Sequence, residues 1–128
     1  MTTADWISET IDEFGRALGF PALAVDDRGV IQVDIEERGR LGIEVLADHV
    51  LVYLTRPIRP DVGTYQQALR LCHFSVATTD WLQAAMVGED QLVFTTRVPN
   101  REFDLSSLES AIVTLSDLHE TLAEGAPT

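Results

Sequence analysis

The side chains best suited to bind a metal or move a proton are three histidines and a single cysteine. His49 falls on a predicted turn, whereas His73 and His119 fall on separate predicted helices, so no spacing places two imidazoles on one metal ion. Cys72 and His73 are adjacent on a helix, where consecutive side chains point about 100° apart and cannot act as nucleophile and base. The sequence therefore predicts no catalytic residue and no metal site.

Acidic and glycine-containing stretches indicate no ligand site either. The segment "DDRG" at residues 26–29 lacks the alternating oxygen ligands of a calcium loop and is typical of an ordinary turn. The glycines are scattered and form no phosphate-binding run. We therefore expect no cofactor. An enzyme or a small-ligand sensor remains an alternative, but it would require a pocket of convergent polar groups that the sequence does not indicate.

Charge and composition restrict the partners that this chain can bind. The 128 residues include 21 acidic and nine basic side chains, which give a formal net charge of −12. Such a charge repels nucleic acid and acidic lipid surfaces and attracts basic partners. The chain has no apolar run long enough to cross a membrane and no basic-then-apolar leader, so we expect one cytoplasmic domain over residues 1–128 without membrane insertion.

Hydrophobic spacing predicts the elements that must position any functional side chain. Apolar residues at three-to-four spacing predict a first helix over about residues 3–18 and a last helix whose N-terminus Asp104 caps. The stripe of the last helix consists of Leu105, Leu108, Ile112, Leu115, Leu118 and Leu122. Between them lie three strands, a helix over about residues 64–74 that Thr64 caps, and two further strands. The sequence thus predicts an α+β fold with an antiparallel twisted sheet, in the order α-β-β-β-α-β-β-α.

The register of the first three strands separates two faces of the sheet. A three-residue loop at residues 37–39 would pair Glu36 with Arg40, and a second turn lies near Asp48. This register makes Ile31, Val33, Ile35, Leu41, Ile43, Val45, Val50, Val52 and Leu54 the core face. The opposite face carries Gln32, Asp34 and Glu44, but also the apolar residues Leu46, Leu51 and Tyr53.

The helix over residues 64–74 is apolar on two sides, so we expect it to touch two different surfaces. One surface is the core of its own domain. The second is a copy of the same chain, with Leu69, Cys72 and the following strand around Trp81 contributing to a two-fold interface. The sequence therefore predicts a homodimer.

Three segments carry a resemblance that extends over nearly the whole chain. They are "FGRALGFPALAVDDRGVIQV", "LGIEVLADHVLVYL" and "DLSSLESAIVTLSDLHETL". In this order they resemble the class I type III secretion chaperones, the CesT-like family. The resemblance implies a bacterial cytosolic homodimer without catalysis that binds the N-terminal, largely non-globular segment of a secreted effector and keeps it soluble for export. A regulatory protein that sequesters an activator or another chaperone on the same scaffold is the alternative.

The apolar residues on the outer face are the candidate binding site. We predict that Leu46, Leu51 and Tyr53 form part of the surface on which a partner segment docks, because a carrier of extended segments needs exposed apolar surface. The alternative is that they are isolated surface residues or lie under another element of the same fold.

Overall fold

The elements follow the predicted order. The computed structural model describes residues 5–17, 29–35, 39–59, 61–75 and 82–124. The helices are α1 (Asp5–Ala17), α2 (Val62–Ser75) and α3 (Leu105–Glu124), and the strands are β1 (Val30–Ile35), β2 (Gly39–Val45), β3 (His49–Pro57), β4 (Leu82–Val87) and β5 (Gln91–Pro99). A 3-10 turn, Asn100–Glu102, joins β5 to α3. The predicted α-β-β-β-α-β-β-α order is confirmed.

The five strands form one antiparallel sheet with the spatial order β1-β2-β3-β5-β4. Hairpins join β1 to β2, β2 to β3 and β4 to β5, whereas the connection from β3 through α2 places β4 at the far edge. The strand β3 is therefore central, with β2 on one side and β5 on the other. Its neighbours satisfy the backbone of β3 on both edges, whereas its side chains alternate between a buried face and a half-buried face, so the unbroken apolar run places apolar side chains on both.

The predicted register of the first hairpin is wrong by two residues. Ile35 pairs with Gly39, and Val33 with Leu41, instead of Glu36 with Arg40. Gly39 opens β2 with φ +116, and a Cβ there would overlap the carbonyl oxygen of Thr55, so the position requires glycine. Because side chains alternate with period two, a shift of two residues leaves the assignment of faces unchanged.

The second hairpin has the predicted parity and completes the core face. Its turn is closed by the Leu46 N–H, which donates to the His49 carbonyl at 2.9 Å. The fully buried residues on this face of the sheet include Leu41, Ile43, Val50, Val52, Leu54, Leu92 and Phe94. They pack against Ile7 and Ile11 of α1 and against the predicted stripe of α3, of which Leu108 and Leu115 are completely buried. The helices thus cover one face of the sheet.

Two aspartates cap helices, one as predicted and one in place of the predicted residue. Asp104 Oδ1 accepts the Ser107 N–H at 2.7 Å, and Ser107 Oγ accepts the Asp104 N–H at 2.9 Å, so α3 begins with a reciprocal capping box. The prediction that Thr64 caps α2 is wrong. Asp61 Oδ1 accepts the Gly63 N–H at 3.2 Å, and the helix begins earlier, at Val62.

Candidate protein-binding face

The face of the sheet opposite α1 and α3 forms a concave surface, which we call the open face. The concavity encloses about 1040 Å³ and takes side chains from all five strands. Its apolar centre consists of Leu51, Tyr53, Val93, Ala85 and Val87. Polar and charged residues, including Gln32, Asp34, Arg40, Glu44 and Gln91, surround that centre. An apolar centre with a polar rim is the usual composition of a protein-binding surface.

Strand pairing explains why these side chains lie together. Tyr53 is paired with Gly42 on β2 and with Thr95 on β5. Leu51, two residues earlier on β3, is paired with Glu44 and Arg97. Residues directly opposite in antiparallel strands have Cβ atoms about 5 Å apart, so each pair forms a continuous row across the sheet. The open face therefore follows from register alone.

Tyr53 is held in place by its neighbours. Its ring lies against Gly42, where a Cβ atom would overlap the ring carbons. The Gln32 Nε2 donates to the phenolic oxygen at 3.5 Å. Tyr53 is therefore half-buried and covers the bare backbone of β2, an aromatic–glycine pairing that stabilises sheets. The sequence prediction determined only which faces the residues of this hairpin share and left two turn positions open, so it did not identify Gly42 as the partner of Tyr53; the observed register does.

The structure brings two of the three predicted docking residues together. Leu51 and Tyr53 both line the concavity and are half-buried, but Leu46 does not line it. Leu46 belongs to the turn between β2 and β3, where the Asn100 Nδ2 donates to its carbonyl at 3.4 Å and to that of Ala47 at 3.0 Å. The sequence pattern did not identify Asn100 as important. Its side-chain amide connects this turn by hydrogen bonds to the start of the 3-10 turn after β5.

The three residues predicted for a dimer interface occupy different environments. Leu69 is 60% exposed on α2, and Val62 on the same helix is 67% exposed. Cys72 points into the core, where burial raises the pKa of its thiol. Trp81 lies outside the residues that the structure describes. The outward side of α2 therefore carries Leu69 and Val62, whereas Cys72 belongs to the inward side.

His119 is a buried residue of the core. Its Nε2 donates to the Leu54 carbonyl at 2.8 Å, and its ring meets Phe94 edge-on with centroids 4.7 Å apart. Burial lowers the pKa of His119 to about 4, against the effect of the backbone hydrogen bond, and the nearby Arg56 lowers it further. The Arg56 guanidinium itself donates to Ser116 Oγ at 3.2 Å. At neutral pH His119 is therefore an uncharged residue that links α3 to the central strand.

Two further properties concern metals and membranes. Among the residues that the structure describes, no group of three or more histidine, cysteine or acidic side chains could hold a metal ion. No described helix is both long enough and apolar enough to span a membrane.

Comparison with known protein families identifies the family to which this chain belongs. The model of the family "Type III secretory system chaperone SycN" matches residues 6–123. The chain belongs to the type III secretion chaperones. The resemblance predicted from the sequence is thereby confirmed, and the match covers both the helix-packed core and the open face of the chaperone. Among curated proteins, none matches the sequence of the chaperone significantly.

Solved structures show the same fold at low sequence identity. A chain of the HopA1–SchA chaperone–effector complex is 16% identical with a TM-score of 0.75, and the match covers 93% of the present chain and 94% of that chain. For a chain of the ExsC–ExsE complex the identity is 14% and the TM-score 0.77, with 96% of both chains covered. A chain of the complex of the Yersinia pestis type III secretion chaperone SycH with a stable fragment of YscM2 is 18% identical with a TM-score of 0.70, and the match covers 91% of the present chain and 98% of that chain.

Proposed function

We propose that this chaperone binds the N-terminal non-globular segment of a secreted type III effector in the bacterial cytoplasm and keeps it soluble and competent for export. The observation that carries the proposal is the concave open face, whose apolar centre is covered by no helix among the described residues. Chains of the same fold occur in the HopA1–SchA chaperone–effector complex and in the ExoU–SpcU complex of the Pseudomonas aeruginosa type III secretion system. These complexes support a protein-binding role for the fold, and the apolar centre of the open face is the basis for proposing that face as the binding surface.

The open face favours one conformation of the bound segment. A sheet face presents side chains and no free backbone groups, so a segment lying on it must satisfy its own backbone hydrogen bonds. An amphipathic helix does so, and its diameter of about 10 Å equals the distance across β2, β3 and β5, at about 4.8 Å per strand interval. We propose that a helix of the effector lies over Leu51, Tyr53 and Val93.

An edge strand offers a second contact of a different kind. Among the described strands, β1 pairs only with β2, and Val30 at its start already has an interaction partner, so the edge proposed as available is the backbone of residues 31–35. An extended part of the same effector segment can add to that edge as a further strand. In this arrangement backbone hydrogen bonds at β1 contribute affinity, and the apolar centre of the open face contributes selectivity for side chains.

We further propose that the chaperone acts as a homodimer of single-domain chains, residues 1–128, in which the outward side of α2 contributes to the interface. The support is the exposure of Leu69 and Val62, two large apolar side chains on one helix. Trp81 follows this helix in the chain and is proposed to take part, whereas Cys72 supports the helix from inside the core.

Light scattering tests this proposal at micromolar concentration, where the wild type should show twice the chain mass. Leu69→Asp should shift the mass toward the monomer with an unchanged circular dichroism spectrum, whereas Val113→Asp on the exposed side of α3 should remain dimeric. A wild-type monomer would contradict the proposal.

The role requires no covalent step, because capture and release of a segment need only binding energy. We therefore propose that the chaperone is not an enzyme and uses no cofactor.

A paired measurement of stability and binding tests the proposed face. Leu51→Ser should change the free energy of unfolding by much less than the 2 to 5 kcal/mol (roughly) that a buried leucine loses on truncation, yet it should weaken effector binding by more than about 1 kcal/mol. Val113→Ser is the matched control, because Val113 is 53% exposed on α3, away from the concavity. Mass spectrometry of the captured partner separates an effector from a sequestered regulator. Unchanged binding by Leu51→Ser would overturn the assignment.

A further inference from the structure

We propose that Glu44 makes the open face selective for a partner segment that carries a lysine or arginine beside the apolar side chain seated on Leu51. The inference rests on the proposed function and specifies the chemistry of the segment that the face accepts. Its basis is the position of one carboxylate next to the apolar centre, together with the pairing of the other charges on the same face.

The register places Glu44 beside the apolar anchor point. Glu44 on β2 is the direct cross-strand partner of Leu51 on β3, so their Cβ atoms lie about 5 Å apart. The Glu44 side chain lines the concavity and is half-buried before any partner binds. A segment that packs on Leu51 therefore removes further water from the Glu44 carboxylate.

The remaining charges on this face already have partners. Arg40 Nε lies 3.0 Å from Asp34 Oδ1, so these two residues form an ion pair. Arg56 reaches the rim of the concavity, but its guanidinium lies on the helix-covered side of the sheet and donates to Ser116 Oγ of α3. Arg97 on the far side of Leu51 likewise has an interaction partner. The Glu44 carboxylate makes no hydrogen bond or ion pair with a side chain or backbone group in the described part of the chain.

Burial without a counter-ion gives Glu44 its selective effect. A carboxylate covered by an apolar or acidic segment loses hydration without compensation, and this cost disfavours that segment. A cation on the partner restores the interaction. On a helix, residues three or four positions apart are neighbours on one face, so the expected partner carries a basic residue at that distance from its apolar anchor. The net charge of −12 adds long-range attraction for such a segment.

Selection from a displayed library of random peptides tests the inference without knowledge of the natural effector. Peptides enriched on the wild type should carry lysine or arginine three or four positions from an apolar residue. A higher salt concentration should weaken the binding of these peptides. On Glu44→Arg the enrichment should shift to acidic residues. The Glu109→Arg variant, whose substitution lies on the exposed side of α3, is the matched control and should keep the wild-type preference. For a selected peptide, Glu44→Gln should weaken affinity by at least about two- to fivefold, the range for an exposed ion pair, because Glu44 is half-buried.

A Leu51→Asp variant separates failure of this inference from failure of the proposed function. Suppose that the selected peptides no longer bind the Leu51→Asp variant, but show no preference for a basic residue or show the same basic preference on the Glu44→Arg variant. The role of Glu44 is then overturned, and the open face remains the binding site. If no peptide is enriched, or if enriched peptides bind Leu51→Asp normally, the open face itself is overturned as the binding site, and the role of Glu44 with it.

Discussion

The buried imidazole of His119 predicts a loss of stability in mild acid. In the folded chain the Nε2 proton is donated to the Leu54 carbonyl, and the ring packs on Phe94 beside the cationic Arg56. A second proton would charge a side chain that is 3% exposed and whose polar neighbours in the described structure are the Leu54 carbonyl and the cationic Arg56. The folded state therefore binds that proton much more weakly than the unfolded chain does. Replacement of His119 by glutamine removes the titrating group.

The size of the effect follows from the two pKa values. The pKa of His119 is about 4 in the folded chain, against an ordinary value of 6.5. Because the folded pKa is lowered, this contribution to stability is complete above the unfolded pKa and is lost as pH falls from 6.5 toward 4. Integration over the proton uptake gives a loss of about 2 kcal/mol between roughly pH 8 and pH 5 from this residue alone.

Urea denaturation at fixed protein concentration measures the difference. The wild type should lose about 2 kcal/mol more than His119→Gln does between roughly pH 8 and pH 5, whatever the offset between the two proteins at pH 8. Carboxylates that titrate in both proteins cancel in this comparison. Thr121→Gln, an exposed change on the same helix, should follow the wild type. Parallel pH profiles for wild type and His119→Gln would refute the assignment of a lowered pKa to a buried, neutral His119.

Two further substitutions test contacts that position the site and the helix behind it. Gly42→Ala should destabilise the chaperone by about 1 to 3 kcal/mol, because the new methyl group displaces the ring of Tyr53, and adding Tyr53→Ala should reduce that cost in urea denaturation. Asp104→Ala should cost about 1 kcal/mol through loss of the capping box with Ser107, whereas Ser106→Ala should cost less than about 0.5; equal effects would contradict the capping role.

Most of the fold could be predicted because each element carries its own periodic signal. The stripe of α3 and the alternation in β1 and β2 each identify a buried side without knowledge of the partner element. The error in the first hairpin arose from Gly39. A glycine before a strand fits either the last loop position or the first strand position, and its left-handed backbone is compatible with both. Because the register was wrong by an even number of residues, the error did not change the face on which each side chain lies.

The site was only partly predictable because its parts depend on distant contacts. Leu51 and Tyr53 could be placed on one face from the local register. The position of Leu46 depends instead on the turn to which it belongs, and the amide of Asn100, 54 residues away in sequence, binds that turn. The inward direction of Cys72 depends on the contacts of α2 within the fold, which a doubly apolar helix pattern does not determine. Long-range hydrogen bonds and helix orientation leave no periodic trace in the sequence.

Site-specific photo-crosslinking in the native bacterium tests most directly whether the open face receives the effector. A photoreactive residue at Gln32 would stand on the exposed rim of the concavity, and one at Val113 would stand on the exposed side of α3 as the control. We expect Gln32 to yield a covalent adduct that contains the N-terminal segment of a secreted effector, and Val113 to yield none. Adducts from Val113 but not from Gln32, in folded protein that still binds the effector, would contradict the account.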